Sequence, residues 1–212
     1  MATIKNKMLT LRADIDKDMN RKLEQILTIS FKMVKYYAQN EKIWLDNRND
    51  IYNIFFDSFT QTYKLTSASL KQIYPDRLQK FKISNILNLT YREDGKDFEE
   101  RFYEYFEDAK KQLKAGVPFK TVYEFLAYKL ERTLITETRF IETAVKKNSK
   151  PEDPTGYIWI IDSGNCEDCE GGEFSDDEIV SFPPFHPNCQ CVAWYELTDD
   201  PDDIKDLDLE VE

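Results

Sequence analysis

Residues 121–145 read TVYEFLAYKLERTLITETRFIETAV, and their spacing sets the kind of fold that the rest of the chain must complete. Val122, Phe125, Leu126, Leu130 and Leu134 recur every three or four positions, which places them along one side of an α-helix. The pattern predicts a helix that opens at Thr121 and continues through Thr136-Glu137-Thr138-Arg139 to Val145, with its aromatic and aliphatic side in a core.

The same period recurs toward the N-terminus. Asp97-Phe-Glu-Glu100 has the arrangement of a capping box, and it precedes a stripe of Phe98, Phe102, Tyr105, Phe106 and Leu113 that Gly116 and Pro118 stop. Asp94-Gly95 marks a turn before it. Ser67–Tyr74 predicts a short helix ending at Pro75, with another beginning near Asp76. Ile51, Ile54, Phe55, Phe59 and Tyr63 form a stripe behind Asn47 and Asn49, both able to cap a helix start. Ile15, Met19, Leu23, Ile26, Leu27, Phe31 and Val34 form the first, capped by Asp14 and running to about Ala38.

Beyond the opening stretch, Lys146-Lys-Asn-Ser-Lys-Pro151 is a polar break. Tyr157-Ile-Trp-Ile-Ile161 then reads as a strand, with Cys191-Val-Ala-Trp-Tyr195 as its returning partner. All four cysteines and the only histidine lie between the end of the first strand and the first residue of the second, as Cys166-Glu-Asp-Cys169 and His186-Pro-Asn-Cys189-Gln-Cys191. Two intervening residues let one turn present Cys166 and Cys169 to a single ion, and Pro183, Pro184 and Pro187 restrict the backbone around His186. The reading is a structural zinc site using four of five donors. Cys166, Cys169, His186 and Cys191 are favoured because a bond from Cys189 as well would need a strained C-x-C chelate, and an all-cysteine set is the alternative.

Other chemistries fit the cluster less well. Glu167, Asp168 and Glu170 would raise the pKa of neighbouring thiols, against a redox or nucleophilic role. A Cys/His protease would need the sole histidine as its base. Neither H-E-x-x-H nor H-x-E with P-C-x-x-C occurs, so a closed metal site is expected rather than a catalytic one. The competing enzyme reading is a metal-dependent hydrolase or nuclease drawing on Asp162, Asp168 or Glu173.

The expected fold class is therefore α+β: a mostly helical body over 1–150 with a small zinc-stapled β-rich C-terminal module over 151–197. Residues 198–212 follow as an acidic flexible tail, in which acids alternate with Ile204, Leu207, Leu209 and Val211 as in a short docking motif. At 41% hydrophobic and 14% aromatic residues the chain can build a real core. Its net charge of -11 is unevenly shared, because residues 151–212 hold 19 acids and one base while 1–150 hold 28 bases and 21 acids. That segregation points to two surfaces with different partners, the basic half being the one able to meet DNA. The N-terminus shows no apolar signal core and no apolar run reaches a membrane-spanning length, so a soluble, cytoplasmically made protein with reduced thiols is expected.

Several segments, in order, resemble the phage head morphogenesis family, the Mu-F-like minor head proteins. They are Tyr91-Arg-Glu-Asp-Gly-Lys96, Leu113-Lys-Ala-Gly116, Ile135-Thr-Glu-Thr-Arg139, Trp159, Asp162, Cys166-x-x-Cys169, Gly171-Gly172 and Pro183-Pro-Phe-His-Pro-Asn-Cys-Gln-Cys191. The resemblance covers roughly residues 85–195, with the family-matched helices at 85–150. Gln190 stands where the family usually has arginine, which removes a charge that could pair with phosphate or carboxylate. The resemblance implies a minor capsid protein of a tailed phage, not an enzyme, made in the bacterial cytoplasm and built into the virion. Its implied partners are the portal protein and the major capsid or scaffold protein, with packaged DNA a further one through the basic half, and no membrane. Glu137 and Arg139 are the polar pair of the matched motif, and a structural role at the junction with the cysteine-bearing segment is expected for them.

Overall fold

A computed structural model describes residues 4–37, 41–73, 96–147, 157–161, 172–175 and 191–196. Four helices, α1 (Ile4–Lys35), α2 (Glu41–Ile73), α3 (Phe98–Lys114) and α4 (Phe119–Lys147), precede three strands, β1 (Tyr157–Ile161), β2 (Gly172–Ser175) and β3 (Val192–Glu196).

In α1 Met8, Leu11, Ile15, Met19, Lys22, Ile26, Ser30 and Met33 form a buried stripe with steps of three and four, and Val34 is buried next to its end. Two of those positions are polar, and each is satisfied locally. The Lys22 ammonium pairs with Asp57 of α2, and the Ser30 hydroxyl donates to the Leu27 carbonyl at 3.0 Å. In α2, Trp44, Ile51, Phe55, Phe59, Thr62, Thr66 and Leu70 continue one stripe over the whole helix. Its aromatic part meets α3: Phe59 stands edge-on to Phe98 at 5.2 Å, Tyr52 edge-on to Phe102 at 5.3 Å, and Trp44 edge-on to Phe106 at 6.2 Å. Such pairs each add about 0.5–1.5 kcal/mol beyond area burial.

Both ends of α3 are closed by its own sequence. Asp97 Oδ1 accepts from the Glu100 amide at 2.9 Å and Glu100 Oε2 accepts from the Asp97 amide at 3.0 Å, completing the expected capping box. At the far end Gly116 adopts φ +80, its amide donates to the Leu113 carbonyl at 3.1 Å, and the Val117 amide donates to the Gln112 carbonyl at 3.0 Å. Those two bonds are a Schellman ending, and the left-handed residue they require is a glycine.

α4 is the central element, packed against α1, α2, α3 and β3. Its first half buries a single side through Val122, Leu126 and Leu130. From Thr133 to Lys146 it buries residues all round, including Glu137, Arg139, Glu142 and Lys146. The strands form one antiparallel sheet in the order β2-β1-β3, with Ile160 opposite Gly172 and Ala193, and Ile161 opposite Val192. Val192 belongs to the same apolar core as the helices.

These observations correct the expected fold class of an α+β chain with a zinc-stapled β-rich module. The described residues form a helical bundle, with helices of 32, 33, 17 and 29 residues against strands of 5, 4 and 5. The physical reason is that the helical stripes extend well past their expected starts, and that the sheet enters the bundle core through the buried start of β3. Among the described residues, no group of three or more His, Cys, Asp or Glu is placed to hold a metal ion, so no zinc staple defines the fold there.

Several boundaries also differ. Asp14 lies inside α1 and Asn47 and Asn49 inside α2, while the separate helix expected at Ser67–Tyr74 is the last part of α2. The strands at 157–161 and 192–196 stand close to where they were expected, and β2 was not foreseen. Lys146 and Lys147, expected to open the polar break, are instead the last residues of α4. The turn at Asp94-Gly95, the helix near Asp76, the remainder of the break (148–151) and the tail 198–212 lie outside the described residues.

Candidate functional site

Arg139, Glu142 and Lys146 are spaced by three and four on α4, so they share a side of that helix. Arg12 and Asp16, four apart on α1, face them. The two ladders interlock around the Glu142 carboxylate, which is 1% exposed. Its Oε2 accepts from Arg12 Nε at 3.1 Å and lies 3.6 Å from Arg139 Nη1, and its Oε1 accepts from Lys146 Nζ at 2.7 Å. Arg139 Nη2 also pairs with Asp16. Arg12 Nη2 reaches past the carboxylate and donates to the Cys191 carbonyl at 2.9 Å. One guanidinium thus joins α1, α4 and the entry to β3.

Burial pushes the Glu142 carboxyl upward, but Lys146, Arg12 and Arg139 together outweigh it and hold it at about 2. The same imbalance acts in reverse on the bases. Burial lowers Lys146, Glu142 partly restores it, and Arg12 lowers it further. Burial also lowers Arg139, and Arg12 adds to that before Glu142 and Asp16 raise it. Three cations share one buried carboxylate, so the acid is held ionised and each base is only partly compensated. A carboxylate with that pKa and no solvent access is unsuited to proton transfer near neutrality. What the arrangement does is hold three elements in register.

A second buried pair lies on the same helix. Arg101 Nη2 of α3 donates to Glu137 Oε1 at 2.9 Å with both side chains excluded from water, and Arg101 Nη1 donates to the Lys96 carbonyl at 2.7 Å. The motif residues Glu137 and Arg139 are therefore both engaged in ion pairs inside the bundle.

Of the expected metal ligands, Cys191 is described: it is buried and immediately precedes β3. Cys166, Cys169, His186 and Cys189 lie outside the described residues, as do Asp162 and Asp168. Glu173 lies on β2, opposite Trp159 of β1. The sheet register nevertheless places the attachment points of both cysteine segments. The end of β1, the start of β2 and the start of β3 all lie at one end of the sheet. Residues 162–171, which carry Cys166 and Cys169, connect two of those points, and Cys191 stands at the third.

Sequence reasoning missed Arg12, Asp16, Glu142 and Lys146. Glu142 and Lys146 have the spacing of an ordinary exposed helix pair. The usable signal was that Ile141 and Val145, each one residue before a charge, continue the apolar stripe, which turns both charges toward the interior.

Comparison of the chain with protein-family models, with curated proteins and with solved structures found no match. Among the described residues, no helix is long and apolar enough to cross a membrane.

Proposed function

We propose that this chain is a minor head protein of a tailed bacteriophage, acting in head assembly by binding the portal or the capsid interior, and that it is not an enzyme. The observation that carries the reading is the state of Glu137 and Arg139. These are the polar residues of the resembling motif, and both are used up in buried ion pairs that fasten α4 to α3 and α1. Both side chains are buried. A helix whose buried charges are devoted to internal fastening suits a structural part rather than a catalyst.

The chain binds one zinc ion through four of Cys166, Cys169, His186, Cys189 and Cys191, and the ion's contribution is to hold its ligand segments together. The donor chemistry supports this, as does the position of the strand ends that flank the cysteines, the end of β1 and the starts of β2 and β3, at one end of the sheet. The fitting test is co-purification with the portal and major capsid proteins encoded in the same genome. Stable association with either is expected, and binding to neither overturns the assembly role. Cobalt substitution reports on the metal separately: four protein ligands with no exchangeable water are expected, and an open water position would return the hydrolase reading.

A further inference from the structure

An open cleft of about 380 Å3 separates α3 from α4. Tyr105 and Phe125 wall it, and the Lys129 ammonium stands 5.7 Å from the first ring centre and 5.8 Å from the second. Glu104 and Asp108 lie on its α3 side, Lys129 and Arg132 on its α4 side. The four charges are not equally available. Glu104 accepts from Lys96 at 2.6 Å and Asp108 from Lys111 at 3.2 Å, so the acids are paired along their own side. Arg132 donates to the Tyr128 hydroxyl at 3.2 Å, and neither Arg132 nor Lys129 has a carboxylate within ion-pair distance among the described residues. The cleft therefore offers two uncompensated cations beside two aromatic rings. A ligand that matches it carries carboxylates together with apolar groups.

One segment of this chain has that chemistry. Residues 206–212 read Asp-Leu-Asp-Leu-Glu-Val-Glu, with an acid at every second position and an aliphatic residue between. In an extended chain that alternation puts acids on one side and Leu207, Leu209 and Val211 on the other. The start of β3 lies beside Glu142, and the thirteen helical residues from Glu142 back to Lys129 span about 20 Å. Residues 197–205, between β3 and the docked segment, can extend over about 30 Å.

We propose that the α3–α4 cleft is the docking site for residues 206–212 of the same chain, the acids pairing with Lys129 and Arg132 and the aliphatic residues covering Tyr105 and Phe125. The basic and acidic halves of the chain meet there.

The test uses the full-length protein and a zero-length carbodiimide reagent, which joins a lysine amine to a carboxylate in contact with it, followed by peptide mapping. Links from Lys129 to Asp206, Asp208, Glu210 or Glu212 are expected to exceed links from the exposed Lys111 and Lys120 about tenfold. The double substitution Leu207→Asn and Leu209→Asn keeps every charge, and it should reduce the Lys129 link several-fold if the aliphatic contacts matter. Tail links spread evenly over all exposed lysines, or unaltered by the double substitution, overturn the docking. A Lys129 link whose yield falls in proportion on tenfold dilution assigns the tail of a second copy and overturns the same-chain arrangement.

Discussion

Glu142 is held at about 2 against an ordinary 4.5, which makes it a sensor of acid with a definite sign. Its folded-state value lies below the unfolded one, so its contribution is complete above about pH 4.5 and is lost as pH falls from there toward 2. The gap corresponds to about 3 kcal/mol. Urea unfolding of the parent and of Glu142→Gln at intervals from pH 7 to 2 should show the variant weaker by about 3–5 kcal/mol at pH 7, with the difference closing through that acid window. Parallel curves would mean that Glu142 does not carry the coupling. The Arg101–Glu137 pair makes a related forecast. Glu137→Ala leaves a buried guanidinium without its carboxylate and should cost about 3–5 kcal/mol, whereas Arg101→Met with Glu137→Met should cost far less. If the double variant is at least as unstable as the single, the orphaned charge is not the cause. The identities of Glu137 and Arg139 were legible in the sequence as a polar interruption of an apolar helix, but not their partners. Arg101 and Asp16 lie 36 and 123 positions away, and helical spacing is silent about contacts at such separations.

At the scale of the element, α3 was the most legible part of the chain, because its start and stop are written in residues within a turn of each boundary. Asp97→Ala removes one side of the capping box and should cost about 1 kcal/mol. Gly116→Ala should cost about 1 kcal/mol as well, through backbone conformation alone, since an added Cβ would meet nothing within 4 Å. Thermal unfolding of the two single variants checks both, and a neutral Gly116→Ala would show that the ending tolerates a right-handed residue. α1 and α2 were misjudged at their starts for a reason that α3 makes plain. Asp14, Asn47 and Asn49 are cap-competent types, but a cap also requires that the stripe begin there. Met8 and Leu11 before Asp14, and Trp44 before Asn47, show that it had already begun. The end of α2 was cut short in the same way, for Thr66 and Leu70 continue the stripe that Phe59 and Thr62 belong to.

For the molecule as a whole, the sequence made a helical majority and an antiparallel strand pair legible, because both rest on local periodicity. It could not show that the sheet and helices share a core, since that depends on Val192 and on the reach of Arg12. Arg12→Leu should keep the helices and detach the strand. Hydrogen exchange of the β1 and β3 amides is expected to accelerate by an order of magnitude or more while α3 amides stay unchanged, and unaltered strand protection would assign the anchoring to Val192 alone.

Arg12 and Cys191 are 179 positions apart. A ribosome makes Arg12 179 residues before Cys191, so through that interval α1 lacks the strand whose entry Arg12 holds. At about 5–20 residues per second that interval is on the order of ten seconds or more, ample time for helices to form and re-form. Closing a contact of such long range late, after local structure exists, is the slow kind of folding. Docking of β3 against Arg12 is therefore a late, long-range step in the folding of this chain.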